Sequence, residues 1–378
     1  MQNAVAILFA NLKGNLGDLA ILEANLVHLS QIYPGYRIDV WTSGFLSTDG
    51  DRLQSFIDAG APPFRLRGKT PDLPMRRWRK VFSSAGLGKA LQPFLIASAQ
   101  REFATEAQSF SQYQRIFIVG GDQFDAIVSA AMFGTLKAIA AINPRLSNFP
   151  LSVNPRTQTA NAPALLRACL GLIEAPLLVR DEMSHRFLTG AGIACDLGTD
   201  SVLSMAARIR SIPASDHATG MVVAITRTAP DDPVHLARLL SALRTLHGPV
   251  STLTTTPSAD HVFLDLRDMG VAYSAPGTWQ ELVAELRSAT LVISNRFHCV
   301  LLAALVGTPV LAVCNRAKIT SVKDAAGLPF WSEGLNATTL DLVQSLLKDG
   351  IGQREAFERY LRLAESQKTS PLMAAGSA

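Results

Sequence analysis

Short apolar runs alternate with longer amphipathic segments along most of the chain. Ala4–Ala10, Arg115–Val119 and Leu291–Ser294 are continuous apolar runs, which is typical of strands buried on both faces of a parallel sheet. The segments between such runs carry apolar residues at helical spacing. Regular alternation of this kind predicts parallel sheets covered by helices on both faces. Further strands are predicted at Arg37–Thr42, Phe149–Val153, Pro176–Arg180, Val222–Thr226, Val250–Thr254 and Val310–Val313.

The alternation is interrupted near residue 210. Ile209–His217 is polar and contains Pro213, and a new apolar run begins at Met221. We therefore predict an α/β fold of two doubly wound, Rossmann-like domains that face each other across a cleft. The predicted domains are residues 1–210 and 211–368, followed by a disordered tail at 369–378.

Composition narrows the class of protein. The 378 residues are 48% hydrophobic, which suits two globular domains. The net charge of +4 is too mild to indicate a nucleic-acid partner. The four cysteines lack zinc-site spacing, so neither a metal nor a cofactor is expected. The N-terminal residues resemble no signal peptide, and no apolar run reaches about 18 residues, so we expect a cytoplasmic location.

The most informative stretch is Leu291–Val313, which predicts a strand, a turn, a helix and a second strand. Asn295 is expected to cap the helix, and Gly307 to end it. Arg296 and His298 occupy the start of this helix, where the macrodipole already places partial positive charge. A cation is unfavourable there unless an anion shares the site, so the pattern indicates an anion site. The alternative is a solvated arginine and a hydrogen-bonded structural histidine.

Other polar or glycine-rich turns follow predicted strands. Gly17 and Asp18 come after the first strand, and we expect Asp18 to cap the next helix. Arg180 is the last residue of its strand. The carboxyl ends of parallel strands share one edge of the sheet, where ligands bind. Plain turns, helix caps and a structural Arg–Asp pair remain alternatives. The same strand-end position is predicted for Gly120, Gly121 and Asp122.

A basic segment, Arg65–Lys80, differs from the rest of the chain. It holds seven basic residues and one acid, Asp72, together with Trp78. One interpretation is a solvated loop. The other is a flap that meets an anionic partner, either a phosphorylated glycan carrier or the membrane surface.

Taken in order, these motifs resemble the polysaccharide pyruvyl transferase family, whose fold is glycosyltransferase-B-like with two domains. Phe297 stands where the family usually has leucine, and Asp122 where a third glycine is commoner. The matching positions are Asn15–Asp18 with Ala20 and Ile21, Gly120–Gly121, Arg180–Glu182 with Ser184, Leu188 and Asp200, Arg296–His298 with Ala303, Ala304, Gly307 and Pro309, and finally Lys318.

The resemblance implies that pyruvate is moved from phosphoenolpyruvate onto two hydroxyls of a sugar in a cell-surface polysaccharide or its precursor, forming a ketal. It assigns donor binding to Arg296, His298, Arg180, Phe297 and Lys318. Paired arginines suit a donor that carries both a carboxylate and a phosphate.

For the chemistry, we expect His298 to act as general acid and Asp18 or Asp122 to accept the hydroxyl proton. No cofactor is implied. The expected partners are phosphoenolpyruvate and a sugar or lipid-linked oligosaccharide, with membrane contact at the inner face and homo-oligomerisation as further options. The alternative functions are a nucleotide-sugar glycosyltransferase of similar fold and a non-catalytic glycan-binding member of the family.

Overall fold

The computed structural model of the protein describes residues 3–12, 15–42, 50–69, 85–119, 126–153, 162–216, 220–225, 233–256, 271–314, 317–335 and 338–367. The predictions for Gly120–Asp122 and for the tail at 369–378 lie outside these residues, as does most of the basic segment.

The first sheet is built from strands in the N-terminal part of the chain, which are β1 (Ala4–Ala10), β2 (Arg37–Thr42), β3 (Arg65–Lys69), β4 (Arg115–Ile118) and β5 (Leu146–Asn148). Among the described residues their order is β3-β2-β1-β4-β5. All neighbours are parallel, and Ile7 of β1 lies between Val40 of β2 and Phe117 of β4. The strand order reverses between β1 and β4, which places a ligand crevice at their carboxyl ends.

A short parallel pair, β6 (Leu178–Val179) and β7 (Asp196–Leu197), forms a separate two-stranded sheet. Leu151 joins it through a single bridge to Val179. The prediction of a strand at Phe149–Val153 is therefore wrong, because the strand ends at Asn148 and only Leu151 pairs.

The second sheet consists of β8 (Met221–Ala224), β9 (Val250–Leu253), β10 (Ala272–Ser274), β11 (Leu291–Ser294), β12 (Val310–Val313) and β13 (Trp331–Ser332). In the described part of the chain their order is β10-β9-β8-β11-β12-β13, again all parallel. The order reverses between β8 and β11. The helix that begins with Phe297 therefore starts at the ligand crevice of this sheet.

Helices connect the strands in both halves. In chain order they are α1 (Leu16–Ile32), α2 (Gly50–Asp58), α3 (Ala85–Glu102), α4 (Ala104–Ala107), α5 (Ala126–Ala140), α6 (Ala162–Leu170), α7 (Glu182–Gly190), α8 (Ala206–Ser211), α9 (Pro233–His247), α10 (Trp279–Ser288), α11 (Phe297–Leu305), α12 (Ala317–Ala326), α13 (Thr338–Lys348) and α14 (Ile351–Glu365). Short 3-10 turns occupy Gln108–Gln112 and Ser201–Met205.

Two helix caps differ from the sequence predictions. Asn15 rather than Asp18 caps α1, and its side chain accepts from the N–H of Gly17. Arg296 rather than Asn295 holds the N-cap position of α11, which has no side-chain cap. The side chains of Asp18 and Arg296 therefore do not cap their own helices. The predicted end of α11 is confirmed, since Gly307 follows it with φ of +80°.

The two sheets are joined by a shared apolar cluster. It contains Ile7 of β1 and Leu22 of α1 together with Val222 of β8, Trp279 of α10 and Phe357 of α14. α1 packs against α10, and α14 packs against α11, α12 and the turn at Ser201–Met205. The predicted boundary at residue 210 lies between the last strand of the first sheet and the first strand of the second.

In the described part of the chain, no helix has both the length and the apolar character needed to cross a bilayer.

Candidate functional site

The start of α11 presents three consecutive residues at the carboxyl edge of the second sheet. The N–H of Arg296 donates to the hydroxyl of Ser294, 2.9 Å away, which fixes the turn out of β11. The side chain of His298 is 12% exposed. The ring of Phe297 lies edge-on to the imidazole, with the centroids 5.1 Å apart. The N-terminus of a helix favours an anion at this position.

Arg180 lies at the end of β6 and is almost completely buried. Its Nη1 is 2.6 Å from Oδ2 of Asp200, and its Nε donates to the hydroxyl of Ser152 at 2.8 Å. Its guanidinium also lies 5.2 Å from the centroid of the Phe297 ring, a cation–π contact between the two halves of the molecule.

The neighbouring acid Asp181 has a different role. It caps α7 by accepting from the N–H of Ser184, and it also accepts from the hydroxyls of Ser184 and Ser152. The ion pair of Arg180 is therefore with Asp200 and not with the adjacent residue.

Asp200 is the buried carboxylate at the centre of the site. Its Oδ2 contacts Arg180 and lies 3.6 Å from Nε2 of His298, while Oδ1 accepts from the N–H of Val202. Burial by itself would raise the pKa of Asp200, but Arg180 and His298 hold that pKa well below its usual range. Asp200 thus remains a carboxylate that links a cation of the first half to a histidine of the second.

The first turn of α1 completes the site from the opposite side. Gly17 lies so close to His298 that any Cβ at position 17 would overlap the imidazole ring. Asp18, the next residue, accepts a hydrogen bond from Nδ2 of Asn11 at 2.6 Å. Burial raises the pKa of the Asp18 carboxyl, and the charges of His298 and Lys318 only partly offset that rise.

Two further residues reach the same region. Lys318, in the first turn of α12, interacts electrostatically with Asp18. Tyr360 of α14 is half-buried; burial raises the pKa of its hydroxyl, and the charges of Asp200 and Asp181 raise it further. Tyr360 was missed by sequence reasoning, because nothing in the local pattern of α14 shows which element that helix crosses.

The structure therefore gathers Asp18, Arg180, Phe297, His298 and Lys318 from four separate segments. Sequence reasoning also missed Asp200 as a central residue, treating it only as part of a longer motif. The signal available was its place in that motif. The surplus of cations at a helix N-terminus can hold an anion, and the buried acids can orient or exchange protons.

The fold defines a broad class of protein. The structure is similar to UDP-GlcNAc 2-epimerase from Neisseria meningitidis bound to UDP-GlcNAc, with 13% identity, a TM-score of 0.55, and coverage of 97% of this chain and 95% of that one. It is also similar to UGT2 from Phytolacca americana complexed with UDP-2fluoro-glucose and pterostilbene, with 10% identity, a TM-score of 0.57 and the same coverages. The architecture is accordingly glycosyltransferase-B-like, with two Rossmann-like sheets.

The sequence places the chain within that class. The family model for polysaccharide pyruvyl transferases matches residues 15–315, so the chain belongs to the polysaccharide pyruvyl transferase family. The matched range runs from the cap of α1 to the residue after Cys314, and it therefore includes Arg180, Asp200 and His298. No curated protein sequence matches the chain.

Proposed function

We propose that the protein transfers pyruvate from phosphoenolpyruvate to a pair of sugar hydroxyls and forms a pyruvate ketal. The observation that carries this proposal is the meeting of Arg180, His298 and Lys318 around the N-terminus of α11. Phosphoenolpyruvate brings a carboxylate and a phosphate, and this arrangement offers both of them several cations beside a helix N-terminus.

The donor would lie over the first turn of α11. Arg296 stands at the N-cap, where a bound phosphate or carboxylate also meets the helix dipole. Lys318 of α12 interacts electrostatically with Asp18 and would bring a second point charge to the same space. Arg180 is held by Asp200 and Ser152, so its contribution is a fixed positive charge.

The chemistry requires two protons to be delivered and two hydroxyl protons to be removed. One proton reaches C3 of the enol, which becomes a methyl group, while a sugar hydroxyl bonds to C2 and loses its own proton. A second hydroxyl then bonds to C2 and loses its proton, the C2–O bond to phosphate breaks, and the leaving phosphate takes up a proton. We assign the acid role to His298 and the acceptance of a hydroxyl proton to Asp18 or Asp122.

The acceptor would enter from the side of the first sheet, because the basic segment and Asp122 belong to the part of the chain that forms this sheet. We propose a sugar or a lipid-linked oligosaccharide as that acceptor, reached at the inner face of the membrane. The described part of the basic segment is already anchored, since Arg65 and Arg67 both contact the buried carboxylate of Asp39. The basic residues whose role in acceptor binding remains to be tested are therefore Arg76, Arg77, Arg79 and Lys80.

Thermal stabilisation by phosphoenolpyruvate tests the donor assignment. At 100 times its dissociation constant a ligand adds about 2.7 kcal/mol to stability. We expect a shift with phosphoenolpyruvate that is lost in Arg296→Ala, and no comparable shift with UDP- or GDP-sugars. Stabilisation by nucleotide-sugars alone would replace this proposal with a glycosyltransferase. Donor binding with no transfer to any acceptor would favour a glycan-binding member.

The acid role of His298 is tested by His298→Ala. A positioned acid contributes about 10²–10⁴-fold to a rate, so turnover should fall by that factor while the protein remains folded. His247→Ala, in the last turn of α9, is the matched control. Turnover close to wild type in His298→Ala would remove this residue from the mechanism.

A further inference from the structure

A second polar cluster lies on α1, away from the donor site. The carboxylate of Glu23 is completely buried. Its Oε2 accepts from the indole Nε1 of Trp279 at 2.7 Å, and its Oε1 pairs with Arg208. The guanidinium of Arg208 also lies 5.6 Å from the centroid of the indole. The three side chains therefore contact one another in a closed triangle.

The members of this triangle come from three parts of the molecule. Glu23 belongs to α1, which follows the first strand of the first sheet. Trp279 is the first residue of α10, which leads into the second sheet, and Arg208 lies in α8, on the connection between the sheets. A second bond across the halves joins the N–H of Leu16 to the carbonyl of Thr255 at 3.2 Å. α1 is thus held at two points by the half of the molecule to which its own sheet does not belong.

This attachment acts on the site through the geometry of α1. Glu23 follows Asp18 by five residues, which is about 7.5 Å along a helix. Gly17 meanwhile touches the ring of His298. A sideways shift of α1 would therefore change the separation between Asp18 and His298 directly, with no loop between them to absorb it.

The chemistry of the triangle indicates that it orients α1 rather than adding to the stability of the protein. Arg208 remains 42% exposed, but the Glu23 carboxylate is fully buried and loses its hydration, so this ion pair adds little stability beyond that of apolar residues of similar size. A carboxylate bonded to an indole N–H, in contrast, is satisfied in only a narrow range of positions. A slide of α1 past α10 would leave the Glu23 charge buried and unpaired, which is strongly unfavourable.

We propose that Glu23, Trp279 and Arg208 are positioning residues that fix α1 against α10 and so set the approach of Asp18 to His298. The expected effect on kcat rests on the proposed function, whereas the expected effect on the position of α1 does not. A displacement of about 1 Å between reacting groups can cost about 10²-fold in rate.

Trp279→Phe is the sharpest test, because it removes the Nε1–H donor and keeps an aromatic ring. We expect faster hydrogen exchange at the amides of Leu16–Glu23, and a fall in kcat of about 10²-fold with the dissociation constant for phosphoenolpyruvate little changed. Glu23→Gln should act in the same direction, and Arg208→Lys, which keeps the charge, should be milder than Arg208→Met.

Arg210→Met is the matched control. Arg210 pairs with Glu365 at 2.7 Å, but the two side chains are 47% and 33% exposed, so its loss should change neither exchange in α1 nor kcat. Unchanged exchange in Trp279→Phe, or a fall in kcat as large in Arg210→Met, would overturn the proposal. Faster exchange in a protein that does not bind phosphoenolpyruvate would support the positioning role and overturn the proposed function instead.

Discussion

At the scale of single residues, two carboxyl groups of the site have pKa values shifted in opposite directions. Asp200 has Arg180 and His298 within 4 Å and a pKa below its usual range. Asp18 has one short hydrogen bond, from Asn11, and burial raises its pKa. The same site thus holds one group that remains a carboxylate and one group that keeps its proton to higher pH.

Asp18→Asn should therefore make the protein more stable at neutral pH while it lowers transfer activity. Because the folded state binds the Asp18 proton more tightly than the unfolded state, wild-type stability falls as pH rises from about 4 through the raised pKa. The Asp18→Asn variant does not lose stability in this way, because it has no carboxyl group to ionise. Unfolding by urea at pH 5, 7 and 8 would measure it, and a variant less stable than wild type at pH 7 would contradict the prediction.

Asp200→Asn is the opposing control for that measurement. The folded pKa of Asp200 is depressed, so its contribution is present above about pH 4 and is lost as pH falls further toward the folded pKa. Its replacement leaves Arg180 buried without a counterion, which should destabilise the protein at neutral pH.

The contact between Gly17 and His298 predicts a strong effect from one added methyl group. Gly17→Ala would force the imidazole aside, so both stability and transfer should fall. The control is Gly190→Ala. A Cβ added at this position would have no neighbour within 4 Å, and no positive φ is required, so we expect unchanged or slightly higher stability. Gly17→Ala combined with His298→Ala should regain most of the lost stability. Melting temperatures of the wild type, the two single variants and the double variant would show this.

At this scale the sequence indicated candidate site residues better than it indicated their contacts. Gly17, Arg296 and His298 were identifiable because a glycine at a strand end and cations at a helix N-terminus conflict with ordinary local preferences. The partner of Arg180 was not identifiable, because a neighbour in sequence, Asp181, competed with Asp200 and only tertiary structure decides between them.

At the scale of elements, α14 is attached to the edge of the second sheet by one buried side chain. The Gln353 amide donates to the carbonyls of Val310 and Phe330 and accepts from the N–H of Phe330. The same helix packs on α12 and on the turn at Ser201–Met205, and it brings Tyr360 near the Arg180–Asp200 pair. The position of α14 therefore affects both the sheet and the site.

Gln353→Leu should detach this helix from the sheet. Each buried backbone group left without a partner costs about 1–3 kcal/mol, so we expect clear destabilisation in urea. Gln54→Leu, where an exposed glutamine pairs only with Asp58, should change stability by no more than about 0.5 kcal/mol. Equal effects of the two substitutions would show that Gln353 does not hold α14.

Element types were largely predictable from sequence, and element ends were less so. The strands and the helix of the unit from β11 to β12 are as predicted, because the strands are apolar apart from Ser294 and Gly307 marks the end of α11, whereas the N-cap is Arg296 and not Asn295. The strand predicted at Phe149–Val153 failed because apolar residues after Asn148 are buried without pairing, apart from Leu151. Burial and strand pairing leave the same signature in a short apolar run.

At the scale of the whole molecule, the two sheets share one apolar cluster that runs through α1, α10 and α14. Unfolding one half would therefore expose apolar surface of the other. We expect a single calorimetric transition whose van't Hoff enthalpy equals its calorimetric enthalpy. Two resolved transitions would show that the halves unfold independently. The similarity to glycosyltransferase-B-like structures gives the fold but not this coupling.

The bond between Glu23 and Trp279 has a consequence for synthesis of the chain. The two residues are 256 positions apart, and ribosomes add about 5–20 residues per second. The first sheet is therefore complete while Glu23 still waits about 13–50 s for its indole partner. During that interval α1 presents an uncovered apolar face to the cell, and this is the stage of biogenesis at which a chaperone would have most to protect.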